Sequence, residues 1–125
     1  MKIREDFLPM NRPSIGETEI SAVTDCLRSR WITTGALCKS FEEKFQALTG
    51  AKYAVSLTSG TAGMDILLTA LGIGAGDEVI TPSLTFASTV NMIALHGARP
   101  VFADIDYDTL LINADAVEAL ITPRT

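Results

Sequence analysis

Residues 53–71, YAVSLTSGTAGMDILLTAL, contain the stretch on which the predicted fold depends. Residues 53–57 are few, apolar and partly β-branched, which is typical of a strand that is covered on both faces. Residues 58–62 form a turn of small side chains, and a helix is predicted from about residue 62 to residue 71. The apolar residues of this helix recur at the spacing of one helical face: Met64, Leu67, Leu68 and Leu71.

The turn Ser59-Gly60-Thr61-Ala62 carries no bulky side chain, so an anion is able to approach its backbone closely. The first N–H groups of a helix have no internal partner and lie at the positive end of the helix dipole. A strand, a small-residue turn and a helix N-terminus together favour phosphate binding. The alternative is that the turn is small and polar only because it is tight and the helix needs an N-cap.

Composition and charge limit the class of protein. The chain has 125 residues, of which 47% are hydrophobic and 20% are charged, which is typical of one soluble domain or of part of a larger one. The net charge of -5 argues against a nucleic-acid partner. No apolar run is long enough to span a bilayer, and the N-terminus lacks the apolar core of a signal peptide. We therefore expect a cytoplasmic protein with no nucleic-acid and no membrane partner.

The two cysteines, Cys26 and Cys38, are too few and too isolated for a disulfide framework or a metal site of the CxxC type. Cys26 falls on a helical face and is predicted to be a small core residue. Reduced thiols agree with a cytoplasmic location, and no metal site is predicted.

The remaining elements are predicted from periodicity and from capping residues. Ser14 and Glu17 fit a capping box at the start of a first helix, and Gly50 fits the left-handed cap that ends a second helix. Predicted helices cover residues 16–28, 37–49, 85–95 and 114–121, and predicted strands cover residues 78–81 and 99–104. Strands that alternate with helices indicate an α/β fold with a parallel sheet.

The predicted organisation has two parts. Residues 1–50 form an N-terminal arm and helices, and residues 51–125 form strand–helix repeats. Because the chain ends at residues 121–125, where the alternating pattern requires another strand, we expect it to be the N-terminal portion of a larger domain.

Several residues allow two interpretations each. Trp31 is either a packing plug in its loop or one wall of a ligand site. Phe86 either lies over a ligand ring, since it follows a strand end, or begins the apolar face of its helix, which its spacing favours. Asp104 and Asp106 either bind a metal or mark a solvated turn. His96 has no second ligand or carboxylate at a motif spacing, so it is interpreted as a helix C-terminal residue.

The chain resembles the DegT/DnrJ/StrS family in four segments: WITTG at 31–35, SGTAGM at 59–64, GDEVITPSLTF at 76–86, and GARPVFADID…ITPRT within 97–125. Members of this family are pyridoxal-phosphate-dependent sugar-nucleotide aminotransferases of the aspartate aminotransferase fold (fold type I). The resemblance extends from about residue 7 to the end of the chain. It implies that residues 1–125 are the N-terminal part of the large cofactor-binding domain.

The resemblance also implies site residues. The turn Gly60-Thr61-Ala62 matches the segment whose backbone N–H groups hold the phosphate of pyridoxal 5'-phosphate (PLP). Phe86 matches the aromatic residue that stacks on the pyridine ring. Thr33 and Thr34 match a segment near the active site and are the expected contacts of the sugar substrate.

Three family elements match nothing in the chain: the Schiff-base lysine, the aspartate that pairs with the pyridine nitrogen, and a phosphate-site serine. All three are expected beyond Thr125, so residues 1–125 alone are predicted to be inactive. For the full-length protein the resemblance implies a cytoplasmic homodimer. Its reaction would transfer an amino group from glutamate, giving 2-oxoglutarate, to a nucleotide-linked 4-keto sugar in lipopolysaccharide or lipid A biosynthesis.

Two alternatives stay open at the level of sequence. One is a free-standing α/β module that binds a phosphorylated ligand without chemistry. The other is a degenerate or interfering fragment that pairs only with a full-length subunit.

Overall fold

The computed structural model describes residue 7 and residues 9–125. Residues 1–6 and 8 of the predicted N-terminal arm therefore lie outside the described residues. The chain divides into two compact units, Met1–Ser56 and Leu57–Thr125. The helices and strands are α1 (Glu17–Ser29), α2 (Ala36–Thr49), α3 (Gly60–Ala70), β1 (Glu78–Pro82), α4 (Ala87–Leu95), β2 (Arg99–Ala103) and α5 (Ala114–Glu118).

The first unit contains α1 and α2. A glycine caps the N-terminus of α1, and another glycine caps the C-terminus of α2. The N-cap of α1 is Gly16, whose N–H donates to Oε2 of Glu19 at 2.6 Å. The predicted capping box of Ser14 and Glu17 is therefore wrong, because the helix begins at Glu17 itself and the third helical residue is Glu19. The predicted cap at the end of α2 is confirmed: Gly50 has φ 72 and its N–H donates to Gln46 O at 2.8 Å.

The second unit is built around a parallel strand pair. β1 and β2 pair in register from Glu78 opposite Arg99 to Pro82 opposite Ala103. α4 connects the two strands and packs against both, and α3 packs against α4. The core at this junction contains Ile93, which is 2% exposed. A helix that crosses between parallel strands is the arrangement predicted from the alternating sequence pattern.

Residues 53–57 are not a strand in the structure, so this part of the prediction is wrong. A strand requires a neighbour that shares its backbone hydrogen bonds. β1 and β2 form a two-stranded sheet with each other, and no described segment pairs with residues 53–57. Instead Ser56 is held by a side chain, because its N–H and its Oγ both donate to Oε1 of Glu42 at 2.8 Å.

The start of β1 is tied to the end of the chain by a buried carboxylate. Oε1 of Glu78 lies 2.8 Å from Nη2 of Arg99 and 2.8 Å from Nη2 of Arg124, while Oγ1 of Thr122 donates to Oε2 at 2.6 Å. The backbone N–H of Glu78 also donates to Arg124 O at 2.8 Å. Because the Glu78 side chain is only 2% exposed, these partners balance the cost of removing its charge from water. We call these four residues the Glu78 cluster.

No helix within the described residues combines the length and the apolar character that crossing a membrane requires.

Candidate functional site

At the N-terminus of α3, two backbone N–H groups have no hydrogen-bond acceptor among the residues that the structure describes. Ser59 is the N-cap in an extended conformation, and its Oγ accepts from the N–H of Ala62 at 3.1 Å. Ser59 O accepts from the N–H of Gly63 at 3.1 Å. Within the described residues the N–H groups of Gly60 and Thr61 have no acceptor. These two N–H groups lie at the positive end of the helix dipole, so they are available to an anion.

Gly60 and Gly63 differ in what surrounds them. A Cβ built on Gly63 would lie 3.4 Å from Cδ1 of Leu57, so this glycine packs against the chain itself. A Cβ built on Gly60 would meet no atom within 4 Å. Neither packing nor a left-handed backbone therefore requires a glycine at position 60. The open space beside it leaves room for a group that approaches the backbone.

Phe86 lies at the start of α4 and is exposed. It is the N-cap of α4, with φ -66 and ψ 137, and its side chain is 78% exposed. The interpretation favoured by spacing, that Phe86 belongs to the apolar core face of the helix, is therefore wrong. Its ring projects from the turn after β1, whereas Ile93 supplies the buried contact of α4. Because α3 packs against α4, the structure brings together the two helices that begin at Gly60 and after Phe86.

Thr33 and Thr34 belong to the other unit, in a groove between α1 and α2. The groove has a volume of about 1060 Å³ and is lined by residues of α1, by the loop 31–35 and by the first turn of α2. Nε1 of Trp31 donates to Thr34 O at 3.1 Å, and neither threonine hydroxyl has a hydrogen-bond partner within the described chain. Both hydroxyls are therefore available to a polar ligand in the groove.

Trp31 is 64% exposed and forms part of the groove wall, and its indole also packs against its own loop, so both interpretations of this residue stay open. Its indole lies over Gly35, where an added Cβ would come within 2.8 Å of Trp31 Cδ1. Cys26 is half-buried beside it, lines the same groove and donates from Sγ to Trp31 O at 3.5 Å. Cys26 is thus a groove residue rather than the core residue that was predicted.

The acidic residues that follow β2 shape a turn. Asp104 Oδ1 accepts from the N–H of Ile105 at 2.8 Å. Asp106 Oδ1 accepts from the N–H groups of Asp108 and Thr109 and from Oγ1 of Thr109. The backbone hydrogen bond from Thr109, followed by its hydroxyl, lowers the pKa of Asp106. Within the described residues no group of side chains is arranged to hold a metal, and these carboxylates stabilise the turn.

Two polar contacts were not foreseen from the sequence. His96 Nε2 lies 2.7 Å from Asp65 Oδ1, although 31 residues separate the two in the chain. Glu78 was read only as the first residue of a strand, whereas it is the centre of the Glu78 cluster. Neither contact can be predicted from helical or strand spacing, because the residues that form each contact belong to different elements of the fold.

The chain is similar to known proteins over nearly its whole length. A sequence model described as the DegT/DnrJ/EryC1/StrS aminotransferase family matches residues 13–125. A protein of Shewanella sediminis named UDP-4-amino-4-deoxy-L-arabinose--oxoglutarate aminotransferase is 58% identical over 120 residues, which are 96% of this chain and 31% of that protein.

Solved structures agree with this similarity. The PLP-form of Spr1654 from Streptococcus pneumoniae is 41% identical with a TM-score of 0.85, over 94% of this chain and 30% of that one. The GDP-4-keto-6-deoxy-D-mannose-3-dehydratase of E. coli with bound hydrated PLP is 29% identical with a TM-score of 0.85, over 94% and 32%. The predicted α/β fold class is confirmed, and the chain spans about a third of the length of these relatives.

Proposed function

The chain belongs to the DegT/DnrJ/EryC1/StrS aminotransferase family, and we propose that it forms the phosphate-binding end of a PLP site in a sugar-nucleotide aminotransferase. The observation that carries the proposal is the N-terminus of α3. There Gly60 and Thr61 present two N–H groups that have no acceptor in the described part of the chain, beside open space. A phosphate is the anion that such a helix start binds.

Each residue at the start of α3 has a distinct role in the proposal. The N–H groups of Gly60 and Thr61 donate to the phosphate. The N–H of Ala62 already donates to Ser59 Oγ at 3.1 Å. Ala62 therefore contributes through this N-cap hydrogen bond, which orients the N–H groups of Gly60 and Thr61. The missing side chain of Gly60 leaves the backbone open to close approach.

Phe86 contributes an aromatic surface in the proposal. Its ring is 78% exposed at the end of β1, and burial of that ring against a flat heterocycle would recover part of the apolar area that it now shows to water. The bound cofactor supplies an electron sink for amino transfer. The lysine that carries the cofactor, the aspartate and the serine are proposed to lie beyond Thr125, so residues 1–125 alone are proposed to be inactive.

The sugar substrate is assigned to the groove of the first unit. The free hydroxyls of Thr33 and Thr34 are suited to hydrogen bonds with sugar hydroxyls, and the exposed Trp31 indole offers a flat apolar wall. The proposed reaction of the full-length protein is amino transfer between glutamate and a UDP-linked 4-keto sugar, in lipid A or lipopolysaccharide biosynthesis. The relative that is 58% identical, named for UDP-4-amino-4-deoxy-L-arabinose and oxoglutarate, supports this assignment. The proposal includes a cytoplasmic homodimer.

The test uses the full-length protein. PLP is added to two samples. In the first, borohydride should reduce the imine between PLP and a lysine and leave the cofactor covalently attached to the protein. The second sample receives no borohydride and is supplied with UDP-4-amino-4-deoxy-L-arabinose and 2-oxoglutarate, and glutamate formation is expected. Firm binding of PLP without turnover of any sugar nucleotide would favour the non-catalytic phosphate-binding module instead.

A second candidate function is dehydration of a sugar nucleotide. The E. coli dehydratase matches the chain with the same TM-score of 0.85 as Spr1654, so the fold alone does not separate the two reactions. The two functions differ in their sugar products. A product of GDP-4-keto-6-deoxy-D-mannose that has lost a hydroxyl group and gained no amino group would support the dehydratase, whereas an amino sugar would support the aminotransferase.

A further inference from the structure

Helices α3 and α4 are linked by one polar side-chain pair within the described residues. Nε2 of His96, at the C-cap of α4, lies 2.7 Å from Oδ1 of Asp65 in the middle of α3. The His96 side chain is 16% exposed and that of Asp65 is 52% exposed. The imidazole is therefore mostly enclosed, and its Nε2 is at hydrogen-bond distance from the Asp65 carboxylate.

The same contact has an apolar part. α3 packs against α4, and an open apolar pocket of about 210 Å³ between α3, α4 and β1 is lined by Met64, Leu67, Leu68, Val79, Thr89 and Ile93. Apolar packing is not directional, whereas a hydrogen bond depends on the separation and alignment of its two partners. The Asp65–His96 hydrogen bond therefore adds a directional constraint to the packing of α3 on α4.

We propose that Asp65 and His96 are positioning residues for the phosphate-binding N-terminus of α3. Their hydrogen bond holds α3 against the helix that begins after Phe86, and so holds the N–H groups of Gly60 and Thr61 in place relative to that ring. This inference rests on the proposed function. Neither Asp65 nor His96 touches the cofactor in this proposal, and both act through the helix that Asp65 belongs to.

The test measures the dissociation constants of PLP and of pyridoxal, which lacks the phosphate, for the full-length protein. Asp65→Ala should weaken PLP binding by about fivefold, the effect of losing one hydrogen bond, and leave pyridoxal binding unchanged. Asp65→Asn keeps an oxygen acceptor, so this variant should bind PLP in preference to pyridoxal to the same extent as the unmodified protein. Glu43→Ala removes an exposed acidic residue paired with Lys39 at 3.9 Å on α2, and it serves as the control that changes neither constant.

The results distinguish failure of the phosphate-binding proposal from failure of the positioning role of Asp65 and His96. If the unmodified protein binds PLP no better than pyridoxal, the phosphate-binding proposal itself is wrong. If it prefers PLP and Asp65→Ala weakens both ligands equally, or neither, the pair is only structural and the positioning role is overturned. Should Asp65→Ala fail to fold, His96→Phe fills the space of the imidazole without its hydrogen bond, and the same selective loss is expected.

Discussion

Gly60 and Gly63 lie three residues apart in α3, and only Gly63 has the protein itself as a near neighbour. A Cβ at position 63 would touch Leu57 at 3.4 Å, while a Cβ at position 60 would meet open space. Gly60 is the first residue of α3, and neither packing nor a left-handed backbone requires a glycine there. The missing side chain agrees with a ligand that approaches the backbone closely.

Gly60→Ala in the full-length protein should weaken PLP binding by about tenfold or more, because a displaced phosphate loses at least one hydrogen bond to a charged group. The melting temperature should stay equal or rise, since the added Cβ meets no atom and alanine favours the helix. Gly63→Ala, the same substitution one turn later, is the matched control and should leave PLP affinity unchanged. Equal affinity for PLP in both variants would show that Gly60 is not part of the phosphate site.

A second prediction concerns the contribution of the Glu78 carboxylate to stability and its dependence on pH. The hydrogen bond from Thr122, followed by the charges of Arg124 and Arg99, lowers the pKa of Glu78. A lowered pKa in the folded state means that the ionised carboxylate stabilises the fold above its unfolded pKa of about 4.3, and that this contribution is lost as the pH falls below that value. Thermal melts of full-length Glu78→Gln should show a lower melting temperature near neutral pH and a smaller loss between about pH 5 and 3.

The control for Glu78 is Glu118→Gln, which changes an exposed glutamate of α5. It should leave both the melting temperature and its pH dependence close to those of the unmodified protein. A Glu78→Gln variant with an unchanged acid profile would mean that the Glu78 cluster contributes nothing to stability.

Among the helices and strands, local signals predict the elements and the cap at Gly50 but misplace the cap of α1 by two residues, and the predictions that need a distant partner fail. The helix that ends at Gly50 is local, because a left-handed glycine cap depends on one residue and the preceding turn. Residues 53–57 have the composition of a strand, yet the described chain gives them no neighbour to pair with. The contact of Asp65 with His96 joins residues 31 positions apart, and that of Glu78 with Thr122 joins residues 44 positions apart, which periodicity does not reveal.

The same reasoning predicts how residues 53–57 behave in the longer protein. Their strand-like composition should become a paired strand once the remaining chain provides a neighbour, so their amide hydrogens should exchange slowly in the full-length protein. In the isolated 125-residue chain the same amides should exchange rapidly, apart from that of Ser56, which donates to Glu42 at 2.8 Å. Hydrogen exchange followed by mass spectrometry of peptides that cover 53–57 would measure both, and equally rapid exchange in the two proteins would contradict the prediction.

At the scale of the whole molecule, the chain buries little apolar surface. Among the described hydrophobic residues only Ile93, Ala98 and Ala103 are buried, and one two-stranded sheet is present. Large side chains on α2 stay open to water, including Phe41 at 59% and Leu48 at 82% exposure. Small sheets of this kind need further strands or packed helices for independent stability.

The isolated chain of 125 residues is therefore expected to be unstable as a monomer unless it rearranges or associates. Its thermal unfolding, followed by circular dichroism, should be broad, and it should bind a dye specific for exposed apolar surface at room temperature. A sharp, cooperative transition of a monomer without dye binding would contradict this expectation.

The central claim is that the start of α3 holds the phosphate of PLP, and a crystal structure of the full-length protein with PLP tests it most directly. We expect phosphate oxygens about 2.7–3.2 Å from the backbone nitrogens of Gly60 and Thr61. A phosphate bound elsewhere, or these two N–H groups hydrogen-bonded to other parts of the protein, would contradict it.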